Sequence, residues 1–318
     1  MTPNDGKRRG IALIIVLLVV ALLSVIVLEF AGQVQLQRML ASNLADSVRA
    51  FYLAKSGIYI AARSLIDDLN SSREDHLGEM WAFPLPPIPL EGGVIKVTIS
   101  DETAKINLNR LVLGSNRVNT RIQGATTQLF TLLNLDPALV DAIIDWIDED
   151  TSQLTSGADE NAAYGYGYGA ADYLSKNARL DTLEELRLIA GFNNEVFNKV
   201  KPFVSIYGTN RININTADPV VIQAIINSIH PNPDQTLGEQ MAEYRLTQPF
   251  SGARWRRQLI NDLGMDKPLA SRLASSCTTR SRYFRIRVEA KTENSVVYAE
   301  AVIRRSKKGA RFLWWKIR

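Results

Sequence analysis

The sequence predicts an α+β protein: a long N-terminal helix packed on an antiparallel sheet, with a large all-α insertion. Three observations predict it. A stretch compatible with helix and free of proline runs from residue 11 to about residue 69. Apolar and polar residues alternate with period two at 94–99, and again after Arg282. The material between these strands reads as amphipathic helices and turns.

The helix begins as a membrane segment. Lys7, Arg8 and Arg9 precede Gly10 and an apolar run from Ile11 to Leu28. Roughly 18 uncharged residues are about the minimum that crosses a hydrocarbon core. Cations ahead of the run place the N-terminus in the cytoplasm and the rest of the chain on the far side. A cleaved secretory signal is the rival reading. Ala31-Gly32 supplies small residues, but Glu29 and Phe30 stand directly before them and the run exceeds the usual signal core. Beyond Glu29, helix formers continue, and Leu36, Leu40, Leu44, Val48, Tyr52 and Ala61 make one apolar stripe, with Gly32 and Gly57 expected to loosen it. Such a helix would be roughly 90 Å long, too long to bury both ends in one small domain. Its first half belongs in lipid or against similar helices, and its second half on a globular head.

The head is read in order. Pro84 to Pro89 favours an extended polyproline segment, and Glu91-Gly92-Gly93 a turn. A strand at 94–99 is expected to pair with Ile106-Asn107-Leu108-Asn109 through a turn near Asp101 and Glu102. Helices follow at 126–133 and 136–148, with Pro137 in a first turn. Another starts at Thr182, with Asp181 or Thr182 as its N-cap, Glu185 set for a capping box and Gly191 as its stop, and a further one spans 195–201. Arg211-Ile212-Asn213-Ile214-Asn215 then echoes Lys105-Ile106-Asn107-Leu108-Asn109, which predicts two related helical modules. The second has helices near 219–229, 237–245 and 255–263. Strands at 283–290, 296–304 and 310–316 close the chain as a meander whose apolar face needs a cover. The second half of the N-terminal helix is the natural one.

Composition excludes several classes. Hydrophobic content of 46% and charged content of 22% fit an ordinary globular protein. Net charge is +4, and the pI of 9.1 owes much to three cations in the first ten residues, so nucleic acid is not the expected partner. Cys277 is the only cysteine, which rules out an intrachain disulfide and predicts a buried thiol. The two histidines, His76 and His230, are expected to be exposed. No phosphate-cradling loop, HExxH or GxSxG occurs, so no enzyme is expected.

One region carries chemistry. Asp141, Asp145 and Asp148 share a helix face, and Glu149, Asp150, Asp159 and Glu160 follow. Like charges at this spacing repel unless solvated or neutralised by a hard divalent cation such as calcium. An EF-hand is excluded, because Gln153 stands where glycine is needed and Asp159 replaces the final glutamate. The residues alone leave a solvated acidic helix end as the other reading. Tyr164-Gly165-Tyr166-Gly167-Tyr168-Gly169 reads as a surface loop or as a partner-binding aromatic one. The 211–217 segment is similar to part of helix-hairpin-helix modules that bind DNA, and Arg254, Arg256 and Arg257 add charge. The alternative function is therefore a membrane-anchored DNA-uptake receptor. Asp218 and the acids within 234–243 offset that charge and favour packing over DNA contact.

Arg8-Arg9-Gly10 directly before an apolar helix resembles the cleavage site of type IV prepilin-like proteins. That group usually carries glutamate at the fifth mature position, which here is Ile15. With the two Ile-Asn-x-Asn segments, Asp145-Trp146-Ile147-Asp148 and Leu183-Glu184-Glu185-Leu186, essentially the whole chain resembles the minor pseudopilin K family of type II secretion systems. The resemblance implies cleavage by prepilin peptidase between Gly10 and Ile11 and methylation of the new N-terminus. It implies a pilin-like head, split in sequence by two helix-hairpin-helix or SAM-like modules, and calcium held there, for which Asp145, Asp148, Asp150, Asp159 and Glu160 are the candidate ligands. The expected layout is a leader (1–10), a transmembrane part (11–31) and a periplasmic part (32–70) of the helix. The head (71–110), first module (111–210), second module (211–280) and closing strands (281–318) follow. The implied function is to cap and initiate the pseudopilus that exports folded proteins across the outer membrane. Implied partners are the I, J and H minor pseudopilins, the inner-membrane assembly platform, the peptidase and the bilayer. Ile15 fits a tip subunit, since a carboxylate in hydrocarbon is costly without a partner.

Overall fold

The computed structural model describes residues 5–150, 152–154, 174–252 and 255–318, with side chains from residue 11 onward. Helix α1 (Asp5–Ser71) is a single element of 67 residues, about 100 Å long. From Ile11 to Ala45 none of its side chains is buried by the rest of the chain. Contact with the head starts at Asp46, which accepts a hydrogen bond from Asn294 Nδ2 at 2.7 Å. The buried face beyond is Ala50, Ala54, Ile58, Ala61, Ala62 and Leu65. This corrects the sequence reading, because Leu36, Leu40, Leu44, Val48 and Tyr52 all point to solvent. The true packing face is built from alanine, which the search for a stripe of large side chains passes over. Gly57 does not loosen the helix; a Cβ there would meet Val288 Cγ1 at 2.8 Å, so it lets helix and sheet approach.

After α1, the proline-rich stretch ends in a short strand, β1 (Ile88–Leu90), rather than remaining wholly polyproline. It pairs with β2 (Gly93–Asp101) through a turn in which Gly92 has φ +84°. The first helical module then leaves the sheet. Its strand β3 (Ile106–Asn107) does not pair back onto β2 as expected. It runs parallel to β4 (Val204–Ser205), the strand that closes the module, while Leu108–Arg110 turns into a 3-10 helix. Between them lie α2 (Thr120–Leu132), α3 (Leu139–Ile147) and α4 (Asn194–Val200). Leu183–Leu188 is 3-10 rather than α-helical, though the capping box of Thr182 and Glu185 is present. Helix α3 stops at Ile147, so Asp148 is not on its face; it is the extended residue that ends the helix.

The second module repeats the plan. β5 (Ile212–Asn213) opens it, followed by α5 (Pro219–Ile229), α6 (Leu237–Thr247), α7 (Trp255–Asn261) and α8 (Lys267–Ser276). Helix α8 was not expected from the sequence, although Asp266 caps it and Pro268 sits in its first turn. β6 (Cys277–Thr278) closes the module parallel to β5. Cys277 is buried, which pushes its thiol pKa up to about 12 and leaves it inert.

β7 (Tyr283–Lys291), β8 (Val296–Ser306) and β9 (Gly309–Ile317) complete an antiparallel sheet of order β1-β2-β7-β8-β9. Its inner face, including Ile95, Val97, Ile286, Val288, Ala299 and Ile303, packs on α1 as one core. The two modules share a second core, with α2 lying against α5. Because β2 ends and β7 begins at the end of the sheet beside the C-terminus of α1, the modules sit at that end. The exposed apolar half of α1 leaves at the other.

Candidate functional site

Three sets of residues are candidates, and the junction between sheet and modules is the best defined. β8 places residues 297, 299, 301, 303 and 305 inward, so alternation drives Arg305 into the core. It is 1% exposed. Its Nη1 donates to the Leu65 carbonyl and to Asp68 Oδ2, each at 2.8 Å, and its Nη2 to Asp75. Nε donates to the Ser281 carbonyl at 3.2 Å, and the guanidinium stacks over Phe284. One side chain thus ties the end of α1, the following loop and the start of β7. Asp68, Asp75 and Glu79 bring carboxylate oxygens within 4.8 Å of one another. Arg305 neutralises two of them, and Glu79 accepts from Trp81 Nε1 at 2.7 Å. Burial nevertheless pushes the Asp75 carboxyl up to about 6, against the pull of Arg305.

Two further buried acids carry the connection into the modules. Asp101 accepts from Thr103 N at 2.7 Å, from the Ser281 hydroxyl, and from Thr216 Oγ1 at 2.6 Å in the second module. Burial raises its pKa, and these hydroxyl and N–H donors pull the other way. Glu102 accepts from Arg285 Nε at 2.8 Å and from Ser205 of β4, in the first module. Burial alone would raise it, but Lys105 and Arg285 hold its carboxyl below the usual range.

The modules themselves close by a repeated device. Asn109 Nδ2 donates to the Leu180 carbonyl at 2.8 Å, and Leu180 N donates back to Asn109 Oδ1 at 2.8 Å. Asn215 does the same to Phe250, at 2.9 Å both ways. Asn107 and Asn213 each accept from the backbone N–H two residues on, at 3.0 Å. Glu185 and Gln258, Leu186 and Leu259, Gly191 and Gly264, Asn193 and Asp266, and Val204 and Cys277 then correspond at a constant spacing of 73 positions. Gly191 and Gly264 both take positive φ, +83° and +64°. Asn193 and Asp266 both cap a helix by accepting from the N–H three residues on, at 2.9 and 2.6 Å. The opening asparagines lie 106 apart, so the first module is longer by 33 residues. Thr247 connects to Phe250 almost at once, whereas Ile147 reaches Leu180 only through 148–179. In sequence, Asp148 and the later acids and the Tyr-Gly repeat therefore fall within the extra length of the first module, while Asp141 and Asp145 belong to α3.

The end of α3 and the start of that insertion make the candidate metal site. Asp145 is buried, and its Oδ1 accepts from Leu154 N at 2.9 Å. Asp150 is exposed; its Oδ1 accepts from Ser152 N at 2.9 Å, and its carbonyl from Asn177 Nδ2 at 2.7 Å. Asn116 accepts from Glu149 N at 2.9 Å, which pins the same turn. Asp148 is buried beside them. Burial, then Asp141 and Asp150, raise the Asp145 pKa against the Leu154 N–H. Among the described residues no lysine or arginine is paired with Asp141, Asp145 or Asp150. Uncompensated carboxylate oxygens are the donor type calcium takes, but among the described residues only Asp68, Asp75 and Glu79 bring three such ligand atoms within 4.8 Å of one another. Asp159, Glu160, the 164–169 repeat and Arg254 lie outside the described residues.

The third set is on α1. Gly10 and Ile11 are consecutive residues within the unbroken helix, and Ile15 is exposed on it. Both histidines are partly buried rather than exposed, and each accepts a backbone N–H two residues on.

Sequence reasoning missed Arg305, Asp75, Asp101 and Glu102. Arg305 stood at an inward position of an alternating strand, which was the available signal.

The fold and these sites define a subunit with, among the described residues, one apolar helix long enough to cross a membrane, and a packed αβ head bearing a repeated helical insertion. A family described as type II secretion system (T2SS), protein K matches residues 104–209. Type II secretion system protein K of Pseudomonas aeruginosa is 31% identical over 231 residues, 69% of this chain and 68% of that one. The protein of that name from Aeromonas hydrophila is 25% identical over 321 residues, covering 96% and 95%. A crystal structure of the GspK-GspI-GspJ complex from the enterotoxigenic Escherichia coli type 2 secretion system contains a chain of the same fold. Its TM-score is 0.65 at 23% identity, over 85% of this chain and 96% of that one. The chain belongs to the type II secretion system protein K family, the minor pseudopilins of these machines.

Proposed function

We propose that this subunit caps the pseudopilus of its secretion machine and starts its assembly, and never forms the repeating shaft. The observation that carries this reading is the position of the helical modules. They leave the sheet after Asp101 and rejoin it at Tyr283, beside the C-terminal end of α1 and opposite the bare apolar segment. A further subunit stacked above would have to displace them. Ile15 agrees, because a tip subunit has no later neighbour whose terminal amine needs a carboxylate.

On this reading prepilin peptidase cuts between Gly10 and Ile11, the N-terminus faces the cytoplasm, and the head lies in the periplasm. The assembly platform and the I, J and H minor subunits are the partners. The Escherichia coli complex, in which GspK is joined to GspI and GspJ, supports that class of partner. The modules are helix-hairpin-helix or SAM-like units used for packing. Arg245 Nη1 donates to the Ile214 carbonyl, Arg121 to Ser275 and Arg272 to Ile229, so several of their cations serve internal ties rather than a phosphate backbone. Asp145, Asp148, Asp150, Asp159 and Glu160 hold calcium, which fastens the inserted segment.

Crosslinking from a cysteine placed at Gln35 or Leu44, both exposed on α1, tests the placement. Adducts with other minor subunits, at one end of the filament, are expected. Regular occurrence along the shaft would overturn the reading.

A further inference from the structure

The two edges of the sheet are built differently. β1 has three residues and contains Pro89, a device that blocks strand addition. β9 has nine residues and no proline. Its register against β8 shifts between Val302 and Ile303, so Phe312 lies opposite Ile303 while Trp315 lies opposite Ala301. In a regular strand, residues two apart share a face. The extra residue, Leu313, instead puts Phe312 and Trp315, three apart, on the face toward α1 and leaves a gap between them. That gap is a cavity of about 220 Å³, lined also by Lys55, Ile58 and Tyr59. Small-molecule sites run from about 300 to 1,000 Å³, so this one suits a single large side chain. Trp315 and Tyr59 stay 50% and 53% exposed beside it.

Charge decides the occupant. No acidic residue follows Glu300, while Arg304, Lys307, Lys308, Arg311, Lys316 and Arg318 are all exposed. Among the described residues none of the six is in an ion pair. A second copy would set these cations against themselves, which disfavours self-pairing. We infer that β9 is the docking edge for an acidic, extended segment of a neighbouring pilin-like subunit, which adds as a strand and seats one large apolar side chain between Phe312 and Trp315. Main-chain hydrogen bonds supply affinity in such strand addition, and the pocket supplies selectivity. The inference rests on the reading that this chain assembles with other minor subunits, and it names the surface.

The test uses the full chain in its own membranes, with a photocrosslinking residue at Trp315 and, separately, at Leu40 on the outer face of α1. The Trp315 position is expected to capture another pilin-like subunit through a peptide rich in Asp and Glu, identified by mass spectrometry. Lys307→Glu with Lys308→Glu and Arg311→Glu should reduce that adduct by about fivefold or more, and leave the Leu40 adduct unchanged. A Leu40 adduct with none at Trp315 overturns the β9 inference alone. So does a Trp315 adduct to a second copy, to lipid or to nucleic acid, or one indifferent to charge reversal. Loss of both adducts overturns the assembly reading as well.

Discussion

Asn215 and Phe250, 35 residues apart, exchange two buried hydrogen bonds through one side-chain amide. Asparagine is the residue that can do this, since its planar amide offers a donor and an acceptor side by side. Truncation to alanine would strand both backbone groups of Phe250. An unsatisfied buried group costs about 1–3 kcal/mol, so Asn215→Ala is expected to destabilise the protein by about 2–4 kcal/mol. Denaturant titration of the detergent-solubilised chain measures this. A loss well under about 1 kcal/mol would mean that water replaces the clamp.

The opposite junction depends on Arg305. Arg305→Leu leaves Asp68 and Asp75 without their cation, and breaking such a pair from one side costs about 3–5 kcal/mol. Arg305→Lys keeps the charge but cannot reach four acceptors at once, so an intermediate loss is expected. Equal stability of the lysine variant and the native chain would show that only charge matters there.

Asp75 gives stability a pH dependence. Its folded value of about 6 lies above the unfolded 3.8, so the folded protein binds this proton more tightly. The contribution is complete below the unfolded value and is lost as pH rises from about 4 through 6, by up to about 3 kcal/mol. Asp68 and Asp101 shift in the same direction. Melting temperature should therefore fall between about pH 4.5 and 6.5, and the slope should shrink in Asp75→Asn. A flat profile in the native chain would contradict this reading.

The sheet was legible in the sequence because β7 alternates strictly and β8 nearly so, and alternation reports directly which face is buried. The length of α1 was legible from the missing prolines. Its packing face was not, because close approach of helix to sheet selects Ala50, Ala54, Gly57 and Ala61, which carry little hydrophobic signal. The two Ile-Asn-x-Asn segments were visible as an echo, but local pattern suggested that Ile106 pairs with its nearest neighbour. Its partner, Val204, lies on the far side of a module, at a distance that periodicity does not report. The acidic cluster was legible as repulsion. That the extra length after α3 belongs to the first module alone became clear from the Asn109 and Asn215 clamps.

Calcium bound by Asp145, Asp148, Asp150, Asp159 and Glu160 should stabilise the folded protein by mass action, about 2.7 kcal/mol at a hundred times the dissociation constant. Chelator should lower the melting temperature and calcium restore it, with magnesium ineffective because it demands tighter octahedral geometry. Asp145→Asn should abolish the response. An unchanged melt in chelator would contradict the calcium reading.

The account rests on α1 being retained from Ile11 onward as both anchor and assembly spine. N-terminal sequencing of the membrane-bound protein tests this most directly. The expected mature chain begins at Ile11 with a methylated amine, and Gly10→Val should block its formation. A mature chain beginning after Gly32 would remove the apolar half of α1 and contradict the pseudopilin assignment at its root.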